Sequence, residues 1–240
     1  LATMHLRDGR SLTVELMHVD RGQIQWKVSA SVTQVQQTLR SQIDYVDFPP
    51  TNEWEAAEAA FQSGKLNEAI NLYTTVLNAP TSQFYPMPGN FASLAKVRLL
   101  DCHRIRMDMK AIAAQAAIVR DEFADLPPSH RKLDPEVTAW VAISRQNWQA
   151  AIDAVKNVKI PTPETYLVRG MAYEGIGALE EAIRQYAGAY VLNFGGPTEL
   201  TRTSLRRSAE MLAKLKNQDR QNELQLSLIH ISEPTRRILI

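Results

Sequence analysis

The chain lacks most of the residues and patterns that make a chemical site on their own. A single cysteine, Cys102, in 240 residues excludes an internal disulfide and a cysteine-only metal centre. The formal net charge of +1 removes the global attraction that draws a protein to nucleic acid or an anionic membrane. No apolar run approaches the roughly 20 residues of a membrane span. His5, His18, His103 and His130 are scattered, with no pair at the i, i+4 spacing of a helical metal site. Cys102 and His103 are neighbours in a helical stretch, where adjacent side chains diverge by about 100° and form no nucleophile–base pair. Cys102 therefore reads as a small core residue. Asp121, Glu122 and Asp125 cluster near a helix end and read as a solvated face. There is no G-x-S-x-G, no H-E-x-x-H and no P-loop, so no catalytic, cofactor-binding or metal-binding residue is assigned.

Glycine is sparse, at 10 residues, and this draws attention to the pair in YEGIGALEEA at 173–182. Gly175-Ile176-Gly177 comes within one residue of the G-x-G-x-x-G dinucleotide fingerprint, whose sixth position is here Glu180. A dinucleotide loop needs a strand before the first glycine and a helix opening after the last. Residues 166–174 carry a helical pattern instead. Gly177 falls where a first helix must reverse direction, a position that favours positive φ, and Gly175 reads as the frayed end of that helix. The stretch turns a chain.

What is present is a change of period. Residues 3–48 alternate in the manner of strands: Leu12, Val14 and Leu16 share one face, as do Ile24, Trp26 and Val28. RDG at 7–9 and DRG at 20–22 supply hairpin turns. With TQVQQTL at 33–39 and IDYVDF at 43–48, about five short strands are expected before the Pro49-Pro50 break. They would form a small curled sheet or an SH3-like or Sm-like barrel. Trp26, Tyr45 and Phe48 could stack bases, but Arg7, Arg10, Arg21, Lys27 and Arg40 are matched by Asp8, Glu15, Asp20, Asp44 and Asp47. So small a sheet needs its aromatics for its core. Nucleic-acid binding through this head is therefore the lesser reading.

From Thr51 the period lengthens to about 3.6. Tyr166, Gly170, Tyr173, Gly177, Ala182, Tyr186 and Ala189 alternate small and large residues at fixed spacing. This spacing resembles the tetratricopeptide repeat, which implies two antiparallel helices interlocked small against large. Ala57, Gly64, Ala69, Tyr73 and Val76 fit the same ruler, and LNEAINLY echoes LEEAIRQY. Two degenerate pairs lie between, over 90–126 and 134–160, with Asp134-Pro135 as a helix start. A last amphipathic helix over 198–219 is expected to pack through Leu200, Leu205, Leu212 and Leu215. The head residues Leu6, Asp8, Gly9, Ile43, Val46 and Phe48 resemble small β modules that precede helical repeats in some bacterial envelope proteins.

The expected fold is thus α+β: a β module over 1–48 and a tetratricopeptide-like solenoid of about four helix pairs over 51–225. The stretch 226–236 resembles a translated sequencing adaptor, so 226–240 is expected to be a non-native tail. Because the chain opens on Leu1, the natural start is expected upstream. The compartment is the bacterial periplasm or cell envelope if a signal peptide preceded it, and the cytoplasm otherwise. Basic residues gather over 96–110 and 202–220, and a face that collected them would favour an acidic peptide. The expected function is non-catalytic interaction with a protein or peptide, through first-helix residues Arg98, Arg169 and Glu174. An accessory domain of an enzyme is the further alternative. Some tetratricopeptide proteins grip a terminal carboxylate with lysine and asparagine, a set that TYLVRGMAYEG at 165–175 lacks.

Overall fold

A computed structural model describes residues 1–19, 22–29, 31, 33–79, 84, 87–122, 126, 128–193 and 198–232, with the side chains of the last helix described as far as Asn222. The chain forms two compact units, Leu1–Ser144 and Arg145–Ile240. The boundary expected at 48–51 therefore lies inside the first.

In the first unit, β1 (Ala2–Leu6), β2 (Ser11–Val19), β3 (Gln23–Lys27), β4 (Gln36–Leu39) and β5 (Ile43–Asp47) form one antiparallel sheet in the order β4-β3-β2-β1-β5. Gly9, at φ +88°, makes the β1–β2 turn. The DRG turn falls on Asp20 and Arg21, outside the described residues. The long β2 is shared: its first half pairs with β1 and its second with β3, with a register shift between Leu16 and His18. A 3-10 turn at Arg40–Gln42 leads from β4 into β5. Met4, Val14, Ile24, Trp26, Ile43 and Val46 are buried, as the alternation requires, but Val28 is 50% exposed.

This sheet cannot fill its own core. Met87, from the segment between the second and third helices, is fully buried among the strand residues, and Phe84 and Phe48 pack beside it. The backbone N–H of Val46 donates to the carbonyl of Pro88 at 2.8 Å. Gly89 (φ +92°) lies so close that a Cβ would overlap the Val46 carbonyl, so only glycine fits. Arg131 adds a second tie, donating to the Asp44 carboxylate at 2.9 Å and to the Asp44 carbonyl at 2.8 Å.

The helices of this unit are α1 (Asn52–Gln62), α2 (Leu66–Leu77), α3 (Phe91–Arg106), α4 (Met109–Asp121) and α5 (Pro135–Ser144). Each packs on the next. The Thr51 hydroxyl caps α1 by accepting from the Trp54 N–H, and Asn90 caps α3 in the same way. Ala57, Ala69, Tyr73 and Val76 are fully buried, the face that the repeat ruler marked.

The second unit holds α6 (Trp148–Val155), α7 (Pro163–Gly175), α8 (Leu179–Val191) and α9 (Thr198–Ser232), again packed in succession. Thr162 and Thr165 form a reciprocal cap at the start of α7, with Pro163 in its first turn. A Cβ on Gly170 would come within 2.6 Å of the Tyr186 ring, and one on Gly188 within 2.7 Å of the Tyr166 ring. The two helices thus interlock reciprocally. Along α9 the buried stripe is Leu200, Ser204, Ser208 and Met211, while Leu205 and Leu212 are 49% and 45% exposed. The apolar spacing had placed those two leucines inward, but the helix is turned so that two serines pack instead.

One local geometry recurs. Gly64, Met107 and Gly177 have φ of +73°, +55° and +79°. In each turn the left-handed residue donates to the carbonyl three back, and the next residue donates to the carbonyl five back. Gln146, ahead of α6, has φ +57°. The four residues that follow, Lys65, Asp108, Asn147 and Ala178, also share one conformation, with φ from −79° to −91° and ψ from +64° to +85°. The degenerate pair over 90–126 keeps the turn without the glycine.

Candidate interaction surface

The three residues expected to face a partner all have partners within the chain. Arg98, on α3, donates from Nε and Nη2 to the two oxygens of Glu58 on α1, at 2.8 and 3.0 Å. The hydroxyl of Tyr73, on α2, donates to the same carboxylate at 2.7 Å. In the second unit the Tyr186 hydroxyl on α8 donates to Glu174 on α7 at 2.6 Å, and Arg207 on α9 donates to the same oxygen at 2.8 Å. The two centres have one plan: a glutamate on one helix, a tyrosine on the next and an arginine on the third. Burial, and then the hydrogen bond to glutamate, push both phenols above their ordinary range. They remain protonated donors. Arg169 donates to the carbonyl of Val155 at 2.6 Å and ties α7 to the end of α6.

The basic faces are divided in the same way. Lys96 pairs with Glu122 at 2.6 Å, and Arg104 reaches Asp134 at 3.0 Å. Asp101 lies between Arg98 and Arg104. Burial raises its carboxyl above the ordinary value despite both arginines. Arg98 also stands 5.3 Å from the centre of the Phe61 ring. On α9, Arg202 and Arg206 pair along the helix with Glu199 and Glu210. Asp125, in the acidic cluster, lies outside the described residues.

Cys102 is buried in the α1–α3 core, and burial pushes its thiol up to about 11. It stays protonated at neutral pH, as a core residue rather than a nucleophile. The glycine pair is part of a helix hairpin: α7 runs up to Gly175, and a Cβ on Gly177 would meet nothing within 4 Å. Gly175 is not frayed. A Cβ there would overlap the indole of Trp148, so the residue is small because another helix crosses it.

One cluster had no signal in the spacing. Ser11 Oγ lies 3.0 Å from His5 Nδ1, and His5 Nε2 lies 2.8 Å from Asp47 Oδ2, across three adjacent strands. Tyr45 stacks on the His5 ring at 4.3 Å. The elements of a serine–histidine–aspartate relay are present, but Asp47 is 64% exposed. None of the three residues lines either of the two cavities described below. A carboxylate so exposed to water orients and polarises an imidazole weakly, so the row acts as a cross-strand brace. Only the pairing register, with His5 opposite Ser11 and Thr3 opposite Asp47, could have revealed it.

Among the described residues no group of three or more histidine, cysteine, aspartate or glutamate side chains could hold a metal ion. No helix among them is long and apolar enough to cross a membrane. Among the described residues, two cavities that open on the surface stand out. One, of about 280 Å³, lies beside β2 and the Pro49-Pro50 break. The other, of about 400 Å³, lies between the α7–α8 turn and α9 and is lined largely by polar groups such as Glu180, Arg184 and Gln218. Comparison of the chain with known protein families, curated proteins and solved structures gives no match.

Proposed function

We propose that the chain is a non-catalytic interaction scaffold that takes a peptide or partner protein on its helical hairpins. One observation carries this reading: the same hairpin turn is built three times, twice in the first unit and once in the second, with or without glycine. A recurring unit whose neighbours pack in succession produces extended surface, suited to an extended segment or a partner helix. The tetratricopeptide character is supported by the Gly170–Tyr186 and Gly188–Tyr166 interlocks. The strand order and the 3-10 turn before β5 support an SH3-like head. Arg98 keeps 36% of its side chain exposed and can meet an acidic partner while it holds Glu58. Arg169 and Glu174 act by keeping the helices in register.

The nucleic-acid alternative has less support. Trp26 is only 6% exposed and its indole N–H donates to Thr38. Phe48 packs in the core and Tyr45 stacks on His5, which leaves little platform for bases. Residues 226–240 remain a proposed non-native tail, although the helix of α9 continues through Ser232.

The test is to pan a displayed peptide library against the whole chain and map the enriched peptides by cross-linking. Enriched sequences that bind saturably and cross-link to α1, α3, α7 or α9 are expected. Absence of any enriched peptide, with RNA retained on filters or a substrate turned over, would overturn the reading.

A further inference from the structure

The third helix of each glutamate–tyrosine–arginine centre is packed in the same register. With Arg98 of α3 set against Arg207 of α9, the stripe Phe91, Ala95, Leu99 and Cys102 falls position for position on Leu200, Ser204, Ser208 and Met211. All of these are buried. The first stripe packs on α1 and α2, and the second lies on the helix that packs against α7 and α8.

The correspondence fails on the next face. On α3, Ala92, Ser93 and Leu100 are buried, and α4 lies over them, antiparallel. Gln115 of α4 donates to the Lys96 carbonyl at 2.9 Å, and Lys96 donates to Glu122 at 2.6 Å. The inward stripe of α4 is Ile112, Ala116 and Val119. On α9 the matching positions of Lys96, Leu100 and His103 are Leu205, Ala209 and Leu212, and all three are exposed. The chain turns back after α3 through the left-handed Met107, whereas α9 runs on past the matching Lys216 to Ser232. Among the described residues, α9 is the first half of a hairpin without the second.

The 100° step of a helix places Arg202, Lys216 and Arg220, against Asp219, around Leu205, Ala209 and Leu212. Arg202 pairs with Glu199, but both side chains are exposed, at 71% and 42%, and such a pair exchanges readily. The face is apolar along its centre and cationic at its margins. A second copy laid antiparallel on it would set Arg202 of one chain against Lys216 of the other, a like-charge contact that disfavours self-association.

We infer that this face of α9 docks one helix of a partner protein, amphipathic and flanked by acidic residues, laid antiparallel as α4 lies on α3. The inference rests on the scaffold reading and gives it one surface and one class of partner. Leucine replaces Lys96 and His103 at the matching positions, so the partner's stripe meets more apolar surface than α4 does. Its acids take the part that Glu122 plays toward Lys96.

The probe is a stapled helical peptide with Ile, Ala and Val at the spacing of Ile112, Ala116 and Val119 and glutamates on both flanks. A control carries lysines on the flanks. The glutamate peptide should bind the whole chain saturably in fluorescence anisotropy and shift the methyl resonances of Leu205 and Leu212. The lysine peptide should be weaker by about tenfold or more at low salt. Leu205→Glu combined with Leu212→Glu should weaken the glutamate peptide by about tenfold or more, with an unchanged unfolding midpoint because both positions are exposed. If the variant unfolds early, the wild-type shift map still locates the peptide. Shifts confined to α1, α3 or α7 would overturn this site and leave the scaffold reading standing. Equal binding of both peptides, or no saturable binding of either, would overturn it too. So would a wild-type dimer in sedimentation that the double variant dissociates, since the face would then belong to a second copy.

Discussion

At the scale of single residues, the glycines carry two different demands. Gly177 is needed for its backbone angle, with open space where a side chain would stand, whereas Gly175 is needed for its size, because Trp148 crosses it. Helix propensity alone favours Gly175→Ala by about 1 kcal/mol. Overpacking against the indole opposes it by roughly 1–3 kcal/mol. The packing effect wins, so Gly175→Ala should lower stability by about 1–2 kcal/mol in urea unfolding. In a Trp148→Ala background the same change should become neutral or stabilising, by up to about 1 kcal/mol. Equal destabilisation in both backgrounds would show that the indole is not the cause. The spacing assigned Gly177 to its turn but read Gly175 as a frayed helix end, because nothing in the spacing shows the indole that crosses it. Trp148 lies far away in the chain and meets Gly175 only when α6 packs on α7.

At the scale of elements, the hairpin turn was legible only where glycine occupies it. Gly64 and Gly177 fit the repeat ruler, while Met107 and Gln146 adopt the same left-handed conformation without that signal. A left-handed non-glycine residue costs roughly 1–2 kcal/mol. Asp108 and Asn147 offset part of this by capping α4 and α6, accepting from Ala111 and Ala150. Gln146 is exposed, so Gln146→Gly relieves the strain and removes little else. Allowing for the extra freedom that glycine brings to the unfolded chain, the variant should be more stable by about 0.5–1 kcal/mol. The midpoint of urea unfolding should rise at an unchanged slope, and a fall would contradict the left-handed assignment. The orientation of α9 was not legible for a related reason. Spacing shows that a helix has an apolar side, but the buried stripe of α9 runs through Ser204 and Ser208 as well as Leu200 and Met211, and leaves Leu205 and Leu212 outside.

At the scale of the whole molecule, the head depends on the helices that follow it. Met87 and Phe84 complete its core, Gly89 lies against Val46, and Arg131 holds Asp44. A sheet of about 50 residues that lacks these groups buries too little apolar surface to be stable alone. Residues 1–50 alone should therefore give a collapsed amide spectrum with poor dispersion, while residues 1–144 should give a dispersed one. A well-dispersed spectrum from 1–50 would mean that the strand core is sufficient. The unit boundary at Ser144 was hidden because no proline or glycine marks it. Pro49 and Pro50 are exposed and join β5 to α1 within that first unit.

The sequence by itself determined the order of elements: the period of two ends at Pro49-Pro50 and the period of 3.6 begins at Thr51, and both are local properties of side-chain spacing. It also determined the interlocking face of α7 and α8, since alternating small and large residues commit a helix to a close neighbour. Only the tertiary structure decided which charges are available. Arg98, Arg169 and Glu174 look alike as surface residues in a helical stretch, yet each is held by a group 40, 14 or 12 residues distant in the chain. The same holds for the His5–Ser11–Asp47 row, made by strand register, and for the cavity beside β2, whose walls come from segments between Leu1 and Phe91. Contacts between residues distant in sequence depend on how elements pack, and spacing within one element carries no information about them.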